Sequence, residues 1–178
     1  LITPFSTYTD TGERIINGKK IRNALDKVYG LSTMTNVLEN SINTGMIFVA
    51  ERIGRDRFKE YVEKFGFGKK TGISLDTELP GDIDLLSKQS AIYNAVGSFG
   101  QGLTATPLQV ATAYSAMANG GNMPTPYIVD EIRHANGQID KTEPEMKLVI
   151  SANTAKLITA MLISVVEKTY SKAVGLKD

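Results

Sequence analysis

The heptapeptide Glu39-Asn40-Ser41-Ile42-Asn43-Thr44-Gly45 interrupts a helical run and restarts it within a few residues, and no other stretch limits the fold as much. Before it, Thr33 can cap a helix carrying Met34, Val37 and Leu38. After it, Met46-Ile47-Phe48-Val49-Ala50 continues as helix until Gly54. Two helices must therefore meet at a tight turn, with Asn43 or Thr44 as the expected N-cap of the second. Side chains two apart diverge on a helix but can converge in the turn between two helices. The Ser41 hydroxyl and the Asn43 carboxamide are thus expected to face one cleft. The plain alternative is that both residues only cap helices, since Ser and Asn are common N-caps.

The rest of the chain punctuates itself in the same way. Residues 1–30 lack a sustained period, and Thr9-Asp10-Thr11-Gly12 and Asn17-Gly18 read as turns between short extended pieces. Asp56 is the expected cap of a helix whose Phe58, Tyr61, Val62 and Phe65 fall at i, i+3, i+4 and i+7, a core-facing stripe that Gly66 and Gly68 end. The Gly, Pro and Asp content from Phe67 to Asp84 indicates loop. Thr106-Pro107-Leu108-Gln109 is the clearest helix start, with Thr at the N-cap, Pro at N1 and Gln at N3 of a capping box. Leu108, Ala111, Tyr114 and Ala118 are the expected inner face of that helix, and Asn119-Gly120-Gly121 its end. Tyr127 to Arg133 reads as extended, followed by a hairpin turn at Asn136-Gly137. Ser151 or Asn153 then opens a helix carrying Ile158, Met161, Leu162 and Val165 to about Lys168. The pattern predicts roughly five or six helices and one hairpin, an α+β chain that is mostly helical.

Composition removes several function classes. The 178 residues suffice for one domain with a core, and a net charge of +1 gives no electrostatic footprint for nucleic acid. With no cysteine there is no disulfide, no Cys-based zinc site and no thiol nucleophile. The lone His134, beside the hairpin turn, reads as exposed and gives no basis for a metal site or a Ser-His-Asp triad. No apolar run approaches the ~18 residues of a membrane span. The chain starts at Leu1 rather than Met, so upstream sequence is expected, and any membrane anchor would lie there.

Several blocks together resemble one family. Thr33 to Ala50 is similar to the Ser-x-Asn region of penicillin-binding proteins, the transpeptidases that cross-link bacterial cell walls. Thr7 to Gly12 resembles the stretch shortly before that turn in the class B members. Phe65-Gly66-Phe67-Gly68-Lys69-Lys70-Thr71-Gly72-Ile73 resembles their glycine-rich loop, and Leu79-Pro80-Gly81 the piece that follows it. Ser98 to Gln109, with its Gly100-Gln101-Gly102, is the most specific block, and it continues through Ala118-Asn119-Gly120-Gly121. The resemblance covers nearly the whole chain. It implies the helical part of the penicillin-binding protein and serine β-lactamase-like fold, with most of the central sheet outside the segment, so that 1–178 is a partial transpeptidase domain truncated at both ends.

The family's chemistry is acyl transfer by a serine, with Ser-x-x-Lys, Ser-x-Asn and Lys-Thr-Gly around one cleft. A serine hydroxyl needs a neighbour that accepts its proton, a neutral lysine serves if charge and desolvation lower its pKa, and backbone N–H groups hold the oxyanion. Only the middle motif is present, for no serine has lysine three residues on. The nucleophile is expected before Leu1, and Lys-Thr-Gly after Asp178, which Ala173 to Asp178 resembles the approach to. The resemblance implies that Ser41 is catalytic, relaying a proton between base and leaving group. It implies that Asn43 binds substrate through its amide, or the acylamido group of a β-lactam. Implied partners are peptidoglycan stem peptides, β-lactam antibiotics and membrane-bound glycosyltransferases of wall synthesis. No cofactor is implied. The implied location is extracytoplasmic, anchored by an N-terminal transmembrane helix not present in this chain. A non-catalytic β-lactam-sensing module, or a scaffold on the same fold, is the alternative.

Three features mimic a site. Lys70-Thr71-Gly72 spells the third motif but sits in a Gly-rich loop, where Gly72 is expected to supply a positive φ in a structural turn. Thr169 to Lys172 has the nucleophile's spacing at a helix end, and chance explains it better. Gln101 could reach a cleft, but its flanking glycines read better as an aid to close backbone packing.

Overall fold

Short antiparallel ladders and six α-helices alternate in the computed structural model, which describes residues 2–170. The first stretch carries β1 (Thr7–Asp10), β2 (Glu13–Ile16), β3 (Lys19–Arg22) and β4 (Gly30–Thr33). β1 pairs with β4 in the register Thr7↔Thr33 to Asp10↔Gly30, and β2–β3 is a hairpin inserted between them. Asn17 and Gly18, at φ 49° and 72°, make its turn, as a two-residue connection between twisted strands requires.

Three helices follow: α1 (Met34–Glu39), α2 (Asn43–Ile53) and α3 (Arg55–Lys64). Thr33 caps α1 through a reciprocal box with Asn36. The N-cap of α2 is Ile42 rather than Asn43 or Thr44, and that of α3 is Gly54 rather than Asp56, which lies in the first turn. Both differences have one cause, since the backbone departs from helix at a turn residue just before the capping candidate. α4 (Ala91–Gly97) lies against α2, and α5 (Pro107–Ala118) begins with the expected capping box at Thr106 and Gln109.

The inner face of α5 is Gln109, Ala113 and Ala116. The expected face fails: Ala111, Tyr114 and Ala118 point to solvent. A count of apolar residues misses the correct face because its anchor is a glutamine. Gln109 is 1% exposed, and its Nε2 donates to Gly66 O (3.3 Å), Lys69 O (2.7 Å) and Pro80 O (2.7 Å) while Oε1 accepts from Thr106 N (2.8 Å). One side chain thus pins the long loop to α5.

β5 (Asn122–Pro124), β6 (Glu131–Arg133), β7 (Ile139–Lys141) and β8 (Met146–Leu148) form two nested ladders, β6–β7 within β5–β8. Ser151 caps α6 (Ala152–Val165), and a π turn, Val166–Tyr170, extends it. No described helix is long and apolar enough to cross a membrane.

Two cores hold these elements. One gathers Tyr8, Met34, Val37 and Ile42, with Met46, Phe48 and Met161 against them. The other gathers Ala116, Val149, Ile150 and Ala155, with Phe65, Met123 and Ile158. Ile42 and Ile47 are wholly buried, worth about 1.5–3 kcal/mol each. Gly45 lets α2 approach α1, for a Cβ there would lie 2.5 Å from Val37 Cγ2 and 3.0 Å from the Tyr8 hydroxyl.

Candidate active-site turn

α1 closes in a Schellman motif. Ile42 N–H donates to Val37 O (2.9 Å) and Ser41 N–H to Leu38 O (3.2 Å), the bonds that end a helix through one left-handed residue. That residue is Ser41, at φ 50°. The next, Ile42, buries its side chain in the core that holds Val37, which is the apolar contact the motif favours. Glycine is the usual occupant of the left-handed position, because an L side chain there costs roughly 1–2 kcal/mol. Ser41 is exposed, and its hydroxyl makes no hydrogen bond among the described residues. It therefore caps nothing.

Nor does Asn43 cap α2. It is the first helical residue, and its Nδ2 donates to Arg22 O (2.9 Å) on the β2–β3 hairpin. The cap comes from outside the helix: Asn23 Oδ1 accepts from Thr44 N–H (3.1 Å), a donor that Ile42 cannot satisfy. Asn23 Nδ2 in turn donates to Asp10 Oδ2 (2.9 Å). The Thr44 hydroxyl donates to Asp10 Oδ1 (2.6 Å) and lies 3.2 Å from the Tyr8 hydroxyl. Asp10, 2% exposed, also accepts from Gly12 N (3.0 Å) and Tyr29 N (2.8 Å). Burial pushes the Asp10 carboxyl up, but these hydrogen bonds, Thr44's first, outweigh it and hold the group below the usual carboxylate range.

A second buried carboxylate sits on the other side of the turn. Glu39, the last residue of α1, accepts from Ser164 Oγ (2.5 Å), Lys168 Nζ (2.9 Å) and Asn36 Nδ2 (3.0 Å). The Ser164 hydrogen bond holds its carboxyl below the usual range against the opposing effect of burial, helped by Lys168 and Asn36. A carboxylate in a last helical turn faces the negative end of the helix dipole. The position is tolerable because α6 brings a hydroxyl to it and the π turn that follows brings an ammonium.

The remaining candidates resolve as turns and surface. Thr71 N and Oγ1 donate to Glu78 Oε1 (2.7 and 2.6 Å), Gly72 N donates to Glu78 Oε2 (3.2 Å), and Gly72 takes φ 89°. Lys70-Thr71-Gly72 is thus a closed structural turn, as expected, its hydroxyl committed to a carboxylate. His134 lies exposed on the β6–β7 hairpin, 2.8 Å from Asp140 Oδ2. Gln101 is exposed. The Thr169-to-Lys172 spacing runs beyond the described residues, and Ala173 to Asp178 lies outside them.

The structure brings Ser41 and Asn43 to one surface turn without joining them by a hydrogen bond. Neither lines the 330 Å³ apolar groove that Met34, Met46, Leu157 and Met161 enclose nearby. Asp10, Asn23, Thr44 and Glu39 were not legible as a group. The one available signal was Glu39, an acid at a helix C-terminus that needs a compensating partner.

Residues 1–177 match the family model described as the penicillin binding protein transpeptidase domain. Stage V sporulation protein D of Bacillus subtilis is 37% identical over 162 residues, covering 89% of this chain and 25% of that protein. Penicillin-binding protein PbpB of Mycobacterium tuberculosis is 33% identical over 169 residues, 94% of this chain and 25% of its own. Among solved structures, penicillin binding protein 3 of M. tuberculosis, complexed with aztreonam, has a TM-score of 0.86 at 30% identity over 93% of this chain and 37% of that one. The D,D-transpeptidase domain of a peptidoglycan glycosyltransferase from Eggerthella lenta has a TM-score of 0.83 at 25% identity, over 93% and 44%. The chain spans about a quarter of the length of the curated relatives it matches.

Proposed function

The chain belongs to the penicillin-binding protein transpeptidase domain family, and on that premise we propose that it supplies the Ser-x-Asn wall of the active site of a peptidoglycan D,D-transpeptidase. Its α+β arrangement is the helical part of that fold. In this reading the domain is partial at both ends here, and Ser-x-x-Lys and Lys-Thr-Gly come from the rest of the protein.

The nucleophilic serine oxygen bonds to the carbonyl carbon of the penultimate D-Ala of a stem peptide, and the bond to the terminal D-Ala nitrogen breaks. The proton leaving the serine must reach that nitrogen. Ser41 carries it, accepting from the base side and donating to the leaving amine. Asn43, with one N–H committed to Arg22 O and its Oδ1 uncommitted among the described residues, accepts from the substrate amide. An amine of a neighbouring stem peptide then displaces the enzyme's serine, completing the cross-link. A β-lactam acylates the same serine and stays. The site faces the cell wall outside the cytoplasm, beside the membrane-anchored glycosyltransferases that make the glycan.

The observation that carries this reading is Ser41 itself. It occupies a left-handed position where glycine is less strained, is exposed, and its hydroxyl makes no hydrogen bond among the described residues. Such an outlier at a surface turn points to a functional constraint. In the whole protein, Ser41→Ala is expected to slow acylation by a fluorescent penicillin by about 10²-fold, the scale of a lost acid–base group. An unchanged rate overturns the assignment, as does covalent labelling at a residue other than serine.

A further inference from the structure

Resting on that active-site reading, we propose that Asp10 and Glu39 are positioning residues, two buried carboxylates on opposite sides of the turn that together hold Ser41 left-handed and so aim its hydroxyl. The hydrogen bonds described above for Asp10 and Glu39 go to groups other than Ser41. Each fixes one of the two helices that the turn joins.

The downstream clamp begins at Asp10. It binds the Thr44 hydroxyl and the Asn23 amide, and Asn23 binds the Thr44 N–H, so the first turn of α2 is anchored to the β2–β3 hairpin. Asn43 is tied to the adjacent Arg22 O by the same hairpin. The upstream clamp is Glu39, whose oxygens bind Ser164 and Lys168 and anchor the end of α1 to α6 and the π turn that extends it. With both flanks fixed, residues 40–42 cannot relax into the right-handed or extended region that a free serine prefers. Stability alone does not require this chemistry, because apolar residues of similar size commonly replace buried ionic groups without loss. Two nearly inaccessible carboxylates, fully hydrogen-bonded and flanking one strained residue, fit a demand for geometry.

The test uses the whole protein and fluorescent penicillin, separating the acylation rate constant from the dissociation constant of the first, noncovalent complex. Glu39→Gln and Thr44→Val each remove one clamp contact with little change of shape, and circular dichroism verifies that both fold. Each is expected to lower the acylation rate constant tenfold or more, roughly the effect of a sub-ångström misplacement, with the dissociation constant within about twofold. Thr44→Ser, which keeps the hydroxyl, restores the rate. Because the clamps act through Ser41, neither variant slows acylation further in a Ser41→Ala background. Folded clamp variants that acylate at the parent rate overturn the proposal. So does a full additional loss in the Ser41→Ala background, which marks an effect independent of the turn. If Ser41→Ala itself acylates normally, the active-site reading fails first and this inference falls with it.

Discussion

Replacing Ser41 with glycine is expected to make the protein more stable and less active at once. Three structural facts set the stability change. Ser41 sits at φ 50°, it is exposed, and its hydroxyl has no hydrogen bond among the described residues. Removing the Cβ therefore relieves a left-handed penalty of roughly 1–2 kcal/mol. Burial and hydrogen bonding give nothing back, because neither is lost. Glycine also loosens the unfolded chain, which costs about 0.4–1 kcal/mol. The net gain is about 0.5–1 kcal/mol, read as a higher urea midpoint at unchanged m-value. A control is Asn40→Gly: Asn40 has φ −105° and its Nδ2 donates to Asn36 O (3.0 Å), so glycine relieves no left-handed penalty there, removes a hydrogen bond, and the protein loses stability. Penicillin acylation of Ser41→Gly falls with the hydroxyl, so the two readouts move in opposite directions. A lower midpoint for Ser41→Gly would refute the reasoning, because it would mean that the hydroxyl holds the native fold together.

Gln109→Ala is expected to cost about 2–4 kcal/mol, since it strands the carbonyls of Gly66, Lys69 and Pro80 and breaks the Thr106 box, and limited proteolysis within residues 67–84 reports the loosened loop. Gly45→Ala is expected to destabilise by about 1–3 kcal/mol despite alanine's better helix propensity, because the added carbon meets Val37, and pairing it with Val37→Ala recovers part of the loss in thermal unfolding. Asp10 and Glu39 both titrate below their ordinary range. A depressed native pKa adds stability that is complete above the unfolded values of about 3.9 and 4.3 and drains away as pH falls through the native ones. Melting temperature is therefore expected to fall between pH 5 and the acid end, and less steeply for Glu39→Gln, whereas parallel slopes would remove Glu39 from the explanation.

What the sequence made legible was local. Thr33 and Thr106 cap their helices because the partner is three residues on, and Asn17-Gly18 and Asn136-Gly137 turn because the conformation they favour is intrinsic. Ser41 and Asn43 stand out in the sequence only through a family pattern, and the expected N-cap there is off by one, because the Schellman closure reaches to Ile42 before α2 begins. The inner face of α5 was misread because a buried glutamine does not register as core. The two clamps were invisible for a different reason. Thr44 is 34 positions from Asp10, and Ser164 and Lys168 are 125 and 129 positions from Glu39. Periodicity carries no trace of a hydrogen bond over such spans.

Those unequal spans impose a schedule on synthesis. The Asp10 side of the turn draws, among the described residues, on partners that leave the ribosome before α6, so a nascent chain can assemble it while α6 is still being made. The Glu39 side must wait for α6, until when a charged carboxylate destined for the interior stays in water. A chain stalled before Ser164 thus carries Ser41 on a half-built bend, competent to fold onward.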